Sequence, residues 1–128
     1  MNKWDVSQVT DMSGLFYDSQ GLFEDFNEDI TGWDTGSVMD MSFMFKDAQN
    51  FDQDISNWKF DDIESMTSML DGAKSFKQNL CEWGKQPAVQ LALSNGNAKD
   101  IFINSGCKFQ ITPQDEDGPF CASCDDNG

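Results

Sequence analysis

Residues 33–58 read "WDTGSVMDMSFMFKDAQNFDQDISNW", and most of this pattern occurs again on either side of it. Trp33, Trp58 and Trp83 follow one another every 25 residues, and Trp4 precedes Trp33 by 29. The three copies that begin at Trp4, Trp33 and Trp58 agree at seven further columns, six of them apolar and one of small residues. Those columns are Val9, Val38 and Ile63; Met12, Met41 and Met66; Leu15, Met44 and Met69; Phe16, Phe45 and Leu70; Ser19, Ala48 and Ala73; Phe26, Phe51 and Phe76; and Ile30, Ile55 and Leu80. A fixed period of this kind indicates an array of repeats.

The repeats divide the chain into two parts. Residues 1–83 contain three copies, at about residues 4–32, 33–57 and 58–82, and residues 84–128 form a degenerate fourth coil with a C-terminal cap. The first copy has four additional residues, which we place within Gly21–Glu24 as a loop insertion. Because the chain begins almost inside a repeat, we expect it to be part of a longer array and to contact further repeats of the parent chain.

Each copy predicts one coil of a solenoid. "SVMDM" (residues 37–41) favours a short strand, whereas Met41, Met44, Phe45 and Ala48 have the i, i+3, i+4, i+7 spacing of a short helix. A unit of this size cannot bury its apolar face alone, so neighbouring units must stack and share a core. The tryptophan, methionine and phenylalanine columns are therefore predicted to be core ladders. In the fourth coil, Ile101 and Phe102 take the places of Met44 and Phe45.

Charge and composition exclude several classes of function. The net charge is −15, with eight lysines and neither arginine nor histidine. This balance argues against nucleic-acid and anionic-membrane partners, which are bound by cations. No apolar run approaches the roughly 18 residues that membrane insertion requires.

The same composition removes most catalytic groups. The absence of histidine leaves no imidazole base, and the absence of arginine leaves no bidentate anion clamp. Carboxylates in "NED" (residues 27–29) and "DQD" (residues 52–54) have the chemistry of a glycosidase acid and base. They recur at the same phase of successive repeats, however, which favours the capping of backbone N–H groups. We therefore expect no enzyme activity, no catalytic residue and no cofactor.

The repeat that begins at Trp33 resembles that of a known family. The stretch from Trp33 to Trp58 is similar to the 25-residue repeat "WDVSxVTDMSxMFxxAxxFNQDIxxW" of BspA-like leucine-rich-repeat surface proteins, the DUF285 type. The resemblance covers Trp4 to about Trp83. It implies an α/β repeat solenoid of stacked, LRR-like coils with short strands and helices. It also implies an extracellular or cell-surface location and a role in adhesion or protein binding, and it supplies no catalytic residues.

The four cysteines, Cys81, Cys107, Cys121 and Cys124, all lie in the last 48 residues. An even number of cysteines beside surface-type repeats indicates an oxidising compartment and a disulfide-bearing cap. Three pairings are possible, of which we favour Cys81–Cys107 with Cys121–Cys124. A four-cysteine zinc site usually has two CxxC pairs and this chain has one, and a thioredoxin-like CxxC lacks its βαβ setting. No metal is therefore expected.

A partner surface is predicted where the second copy has large apolar side chains in two columns that have none in the neighbouring copies. Six places after the tryptophan stand Thr10, Met39 and Glu64, and ten places after it stand Gly14, Phe43 and Ser68. Met39 lies between core positions and should point outward, and Phe43 lies off the predicted helix face. Exposed apolar side chains that cluster mark interaction sites. Tyr17 extends this side, and the predicted rim is Asp11, Asp40 and Lys46.

Three functions fit these features. The first is a noncatalytic surface module that binds a protein or glycan partner. The second is a structural spacer that projects another domain. The third is a calcium-dependent or carbohydrate-active protein that uses the acidic columns.

Overall fold

The computed structural model describes residues 4–17 and 25–124. A 3-10 helix, Cys81–Lys85, precedes an α-helix, α1, Pro87–Ser94. Within the described residues, β structure consists of isolated bridges. Two are parallel and join Asp11 to Asp40 and Asp40 to Ser65, and two are antiparallel and join Phe109 to Cys121 and Phe120 to Ala122. Ser19 and the insertion predicted at Gly21–Glu24 lie outside the described residues.

Backbone hydrogen bonds join each copy to the next. In the second copy, the N–H groups of Phe43 and Phe45 donate to the third copy, at Thr67 O (3.0 Å) and Met69 O (2.9 Å). The intervening Met44 N–H bonds within its own copy, to Met41 O at 3.2 Å. Lateral and local bonds therefore alternate along the chain.

The same register continues in both directions. Phe16 N–H donates to Met44 O, and Leu70 N–H donates to Ile101 O, both at 2.9 Å. Phe102 thus stands beside Leu70 as Leu70 stands beside Phe45.

The short helices predicted over residues 41–48 and the equivalent described residues are wrong, because the structure has turns there. Every second N–H group in this segment is committed to the neighbouring copy and is unavailable for an i to i−4 bond. Phe43 and Asp47 also have φ values of 60° and 61°, which a right-handed helix excludes. The predicted strands are likewise reduced to single bridges. The apolar spacing that resembled a helix reflects successive turns that direct the same residues inward.

The predicted core columns are buried in the second and third copies. Aromatic rings stack from copy to copy, with ring centroids 5.8 Å apart for Phe51 and Phe76 and 6.4 Å apart for Trp33 and Trp58. The Trp58 indole N–H also donates to Ile30 O at 3.2 Å, at the end of the first copy, which satisfies its polar atom inside the core. Aromatic packing and hydrogen bonding therefore hold the same repeat register.

The first copy departs from this burial. Trp4 is 61% exposed and Leu15 is 43% exposed, although their equivalents Trp33 and Met44 are buried. Val9 is only partly buried. Among the described residues, the first copy has a neighbouring copy on one side only, so two of its core positions lack the covering layer that the later copies receive.

The C-terminal segment covers the third copy. Phe60 packs edge to face on Trp83, with ring centroids 4.8 Å apart. The Gln86 side chain accepts a hydrogen bond from Phe60 N–H (2.7 Å) and donates one to Trp58 O (2.9 Å). At Gly84, an added Cβ would come within 2.6 Å of the Phe120 ring, so this position admits no larger side chain without movement.

The four cysteines form two disulfides, Cys81–Cys124 and Cys107–Cys121, with Cα–Cα distances of 5.6 and 4.7 Å. The favoured pairing of Cys81 with Cys107 and of Cys121 with Cys124 is therefore wrong. The antiparallel bridge between Phe109 and Cys121 returns the chain alongside the Cys107 segment. A bond from Leu80 N–H to Phe120 O holds the same returning segment beside Cys81. Backbone pairing, which spacing alone does not reveal, sets the connectivity.

Candidate partner-binding surface

One of the backbone positions with a left-handed conformation occurs in all four copies. The equivalent residues of the four copies are Gly14, Phe43, Ser68 and Asp100, with φ values of 62°, 60°, 53° and 58°. Glycine adopts this conformation freely, whereas a bulky residue there is an outlier. We call this set the Phe43 column. Phenylalanine is its only large side chain, and it is 42% exposed rather than packed in the core.

Phe43 borders a shallow concavity of about 340 Å³ together with Tyr17 and Lys46. Ser13 and Gly14 form the remainder of its lining. Gly14 borders open space, since an added Cβ would find no atom within 4 Å. Two aromatic side chains from adjacent copies therefore face one opening. We call these two residues, together with the exposed Met39 of the second copy, the Phe43 surface.

Lys46 is held at the edge of this concavity. Its Nζ lies 3.3 Å from Asp71 Oδ2 and 5.8 Å from the centroid of the Tyr17 ring. The ion pair and the cation–π contact connect three successive copies, each by a modest interaction of about 0–1 kcal/mol at a surface site. Lys46 thereby fixes one wall of the concavity and places a cation beside the Tyr17 ring.

Met39 is 43% exposed, as its position between core residues predicted. Its N–H donates to Thr10 O at 2.7 Å, which holds its backbone against the first copy. Met39 does not line the concavity, however, so the structure brings Tyr17 and Phe43 together and leaves Met39 as a separate exposed group. Phe43 is exposed as predicted, but because of its left-handed backbone and not because of a helix face.

The two carboxylates of the predicted rim, Asp11 and Asp40, bind backbone N–H groups in their own turns. Asp11 Oδ1 accepts the Ser13 N–H at 2.9 Å, and Asp40 Oδ1 accepts the Ser42 N–H at 2.8 Å. The Ser13 hydroxyl, followed by the Ser13 N–H, lowers the pKa of Asp11 below its ordinary value of 3.8. Neither carboxylate lines the concavity, so Lys46 is the only residue of the predicted rim that does.

Three of the four paired carboxylates bind backbone N–H groups, as their recurrence predicted. Asp29 accepts the Thr31 N–H at 3.0 Å, and Asp54 accepts the Ser56 N–H at 3.0 Å. Asp52 accepts the Lys77 N–H of the next copy at 3.1 Å. In residues 4–17 and 25–124, no group of three or more acidic or cysteine side chains is placed to hold a metal ion.

Sequence reasoning missed a second exposed apolar pair, Ile103 and Ile111. The signal for Ile103 was present, because placing Phe102 beside Leu70 also places Ile103 in the column of Tyr17, Lys46 and Asp71. No repeat equivalence identifies Ile111, which follows the last coil. The left-handed backbone of Phe43 was also missed, although the glycine at the equivalent Gly14 was a clue to it.

A family model described as "Mycoplasma protein of unknown function, DUF285" matches residues 1–104. Since the match covers most of the chain, the chain belongs to this family. Comparisons with curated proteins and with solved structures give no match. Within the described residues, neither helix is long and apolar enough to cross a membrane.

Proposed function

We propose that this member of the DUF285 family is a noncatalytic surface or secreted module that binds a protein or glycan partner through the Phe43 surface. The observation that carries the proposal is Phe43 itself. A phenylalanine at φ 60° costs about 1–3 kcal/mol, and such strained residues cluster at functional sites. Phe43 is 42% exposed, so core packing does not explain why this position carries the largest side chain of its column.

The neighbours of Phe43 support the same proposal. Tyr17 lies at the same concavity, and aromatic residues contribute strongly to binding at interfaces. Lys46 is held in place by Asp71, so part of the binding geometry is formed before a partner arrives. A preorganised aromatic pair of this kind suits a noncatalytic binding role.

The scaffold in this proposal is a solenoid of LRR-like coils of the BspA type. Lateral hydrogen bonds in a common register and the stacked aromatic columns support it. In such an array each repeat is stabilised by its neighbours, so surface columns can vary without loss of the core. The cap in residues 84–128 then completes the last coil.

The proposed location is extracellular or at the cell surface, with adhesion as the cellular role. The two disulfides are compatible with this location, since such bonds persist in oxidising compartments. Cys107 and Cys121 are buried, which suits a structural rather than a reactive disulfide.

The proposal can be tested by screening the full chain against a glycan array and a panel of extracellular protein domains. A ligand that binds the chain should bind the Met39→Thr, Phe43→Gly double variant at least tenfold more weakly, because both exposed apolar groups are removed. Leu91→Ser is the matched control, since Leu91 is exposed on α1, outside the Phe43 surface. Equal affinity of the chain and the double variant for every ligand would contradict the proposed site. If nothing binds either protein, the spacer function is favoured instead.

A further inference from the structure

The face that carries Phe43 continues across all four copies. The lateral hydrogen bonds place Tyr17, Lys46, Asp71 and Ile103 in one column, which runs beside the Phe43 column. Side-chain contacts also join neighbouring copies on this face. Lys46 pairs with Asp71, and Asn104 Nδ2, next to Ile103, donates to Asp71 Oδ1 at 3.3 Å. The two columns therefore form one continuous strip of surface, which we call the long face.

A second apolar site lies at the other end of the long face. Ile103 and Ile111 are 37% and 63% exposed and border a concavity of about 620 Å³. Asp100, the fourth member of the Phe43 column, lines the same opening. The two concavities thus lie on the same two columns, one at each end of the stack.

The segment that carries Ile111 is fixed on both sides. Thr112 Oγ1 accepts the Asp100 N–H at 2.9 Å, and Gln110 Oε1 accepts the Asn104 N–H at 3.1 Å. These bonds attach the residues before and after Ile111 to the fourth coil. The side chain of Ile111 is therefore exposed while its backbone is held in place, as an interaction site requires.

The separation of the two sites matches an extended peptide. Chains in a ladder lie about 4.8 Å apart, so the three steps from Tyr17 to Ile103 span about 14 Å. An extended peptide rises about 3.3 Å per residue, so residues four apart are about 13 Å apart and project to the same side. One apolar side chain can enter each concavity while the peptide backbone crosses the intervening copies.

The charge of the protein favours a positively charged peptide. The chain carries a net charge of −15, so its field attracts cations and opposes a second copy of itself. Asp71, which lies between the two sites, already pairs with Lys46, whereas the Asp100 carboxylate at the Ile103 end has no cationic partner among the described residues. A Lys or Arg midway between the two apolar residues of the peptide would lie near these carboxylates.

We infer that the long face binds an extended basic peptide that has two apolar residues four positions apart and a Lys or Arg between them. One apolar residue contacts Tyr17 and Phe43, and the other contacts Ile103 and Ile111. This inference rests on the proposed function and narrows its partner to a polypeptide.

A random dodecapeptide library displayed on phage and selected on the full chain tests the inference. Enriched peptides should carry a net positive charge and the apolar-x-Lys/Arg-x-apolar pattern. Synthetic versions should bind at least tenfold more weakly to Phe43→Gly, and at least tenfold more weakly to the Ile103→Ser, Ile111→Ser double variant. Leu91→Ser should leave their affinity unchanged, and each variant should melt as a folded protein.

The possible failures are distinguishable. Peptides that depend on Phe43 but are indifferent to Ile103 and Ile111, or that lack the pattern, would overturn the inference and leave the proposed function standing. If no peptide is enriched but a glycan or a folded domain binds through Phe43, the inference again fails alone. If no ligand of any class depends on Phe43, both fail. Self-association that is abolished by the same variants would assign the long face to a second copy and overturn the inference.

Discussion

Because the backbone of Phe43 is left-handed, we predict that the Phe43→Gly variant is more stable than the Phe43→Ala variant. Phe43→Ala and Phe43→Gly both remove the ring, and only the glycine variant relieves the conformation at φ 60°. A residue with a Cβ pays about 1–2 kcal/mol there. Glycine loses about 0.5–1 kcal/mol relative to alanine because it is more flexible when unfolded. The difference leaves the glycine variant ahead by roughly 0.7 kcal/mol, or about 3 °C in melting temperature for a domain of this size.

Calorimetric melting of both variants measures this difference, and Met39 supplies the matched control. Met39 is equally exposed but is not among the residues with positive φ. At this position the order should reverse, with Met39→Gly less stable than Met39→Ala by about 0.5–1 kcal/mol. If alanine is the more stable replacement at both positions, Phe43 is not strained in solution. The observation that carries the proposed function would then be lost.

Three further predictions follow from the core, the cap and the acidic turns. Trp58→Ala should lower the free energy of unfolding by about 3–5 kcal/mol in denaturant titrations, because it leaves a cavity in a fully packed column. Trp4→Ala should cost far less, since Trp4 is 61% exposed, and equal losses would contradict the repeat register. Mass spectrometry without reductant should recover peptides cross-linked as Cys81–Cys124 and Cys107–Cys121 and an intact mass four hydrogens below that of the reduced chain; free thiols or the opposite pairing would contradict the cap. The pKa of Asp11 is lowered in the folded state, so its stabilisation is complete above pH 3.8 and is lost as the pH falls through the folded value. Melts from about pH 6 to about pH 2.5 should therefore show the stability of the wild type falling relative to that of Asp11→Asn, whose amide keeps the acceptor oxygen but does not titrate; parallel curves would contradict it.

The sequence predicted the repeat and its core but not the local backbone. The period identified Met41, Phe45 and Ala48 as inward residues because burial in an array requires the same side chain in each copy. It assigned them to a helix because turns with alternating lateral bonds give the same spacing as a helix of two turns. Which N–H group bonds locally and which bonds to the next copy is set by the stacked neighbour. A single-segment pattern contains no information about that neighbour.

The candidate site was predicted in part for a related reason. The exposure of Met39 and Phe43 followed from comparing equivalent positions, which requires only the register. Their grouping did not, because the concavity depends on Gly14 and Lys46 from two copies and excludes Met39. The disulfide pairing depended on where the chain reverses after Cys107, a region without repeats to guide the alignment.

The position of Phe43 also explains how a regular stack can carry a specific surface. Core columns repeat nearly the same residue in each copy, because each side chain packs on its equivalents above and below. In the Phe43 column, Gly14, Phe43 and Ser68 each donate a lateral hydrogen bond to a main-chain oxygen, such as that from Phe43 N–H to Thr67 O, which involves no side chain. Four different residues therefore occupy one backbone geometry, from glycine to phenylalanine. Columns whose register is set by main-chain bonds are free to vary, and Phe43 and Ile103, one from each apolar site of the long face, lie in such columns.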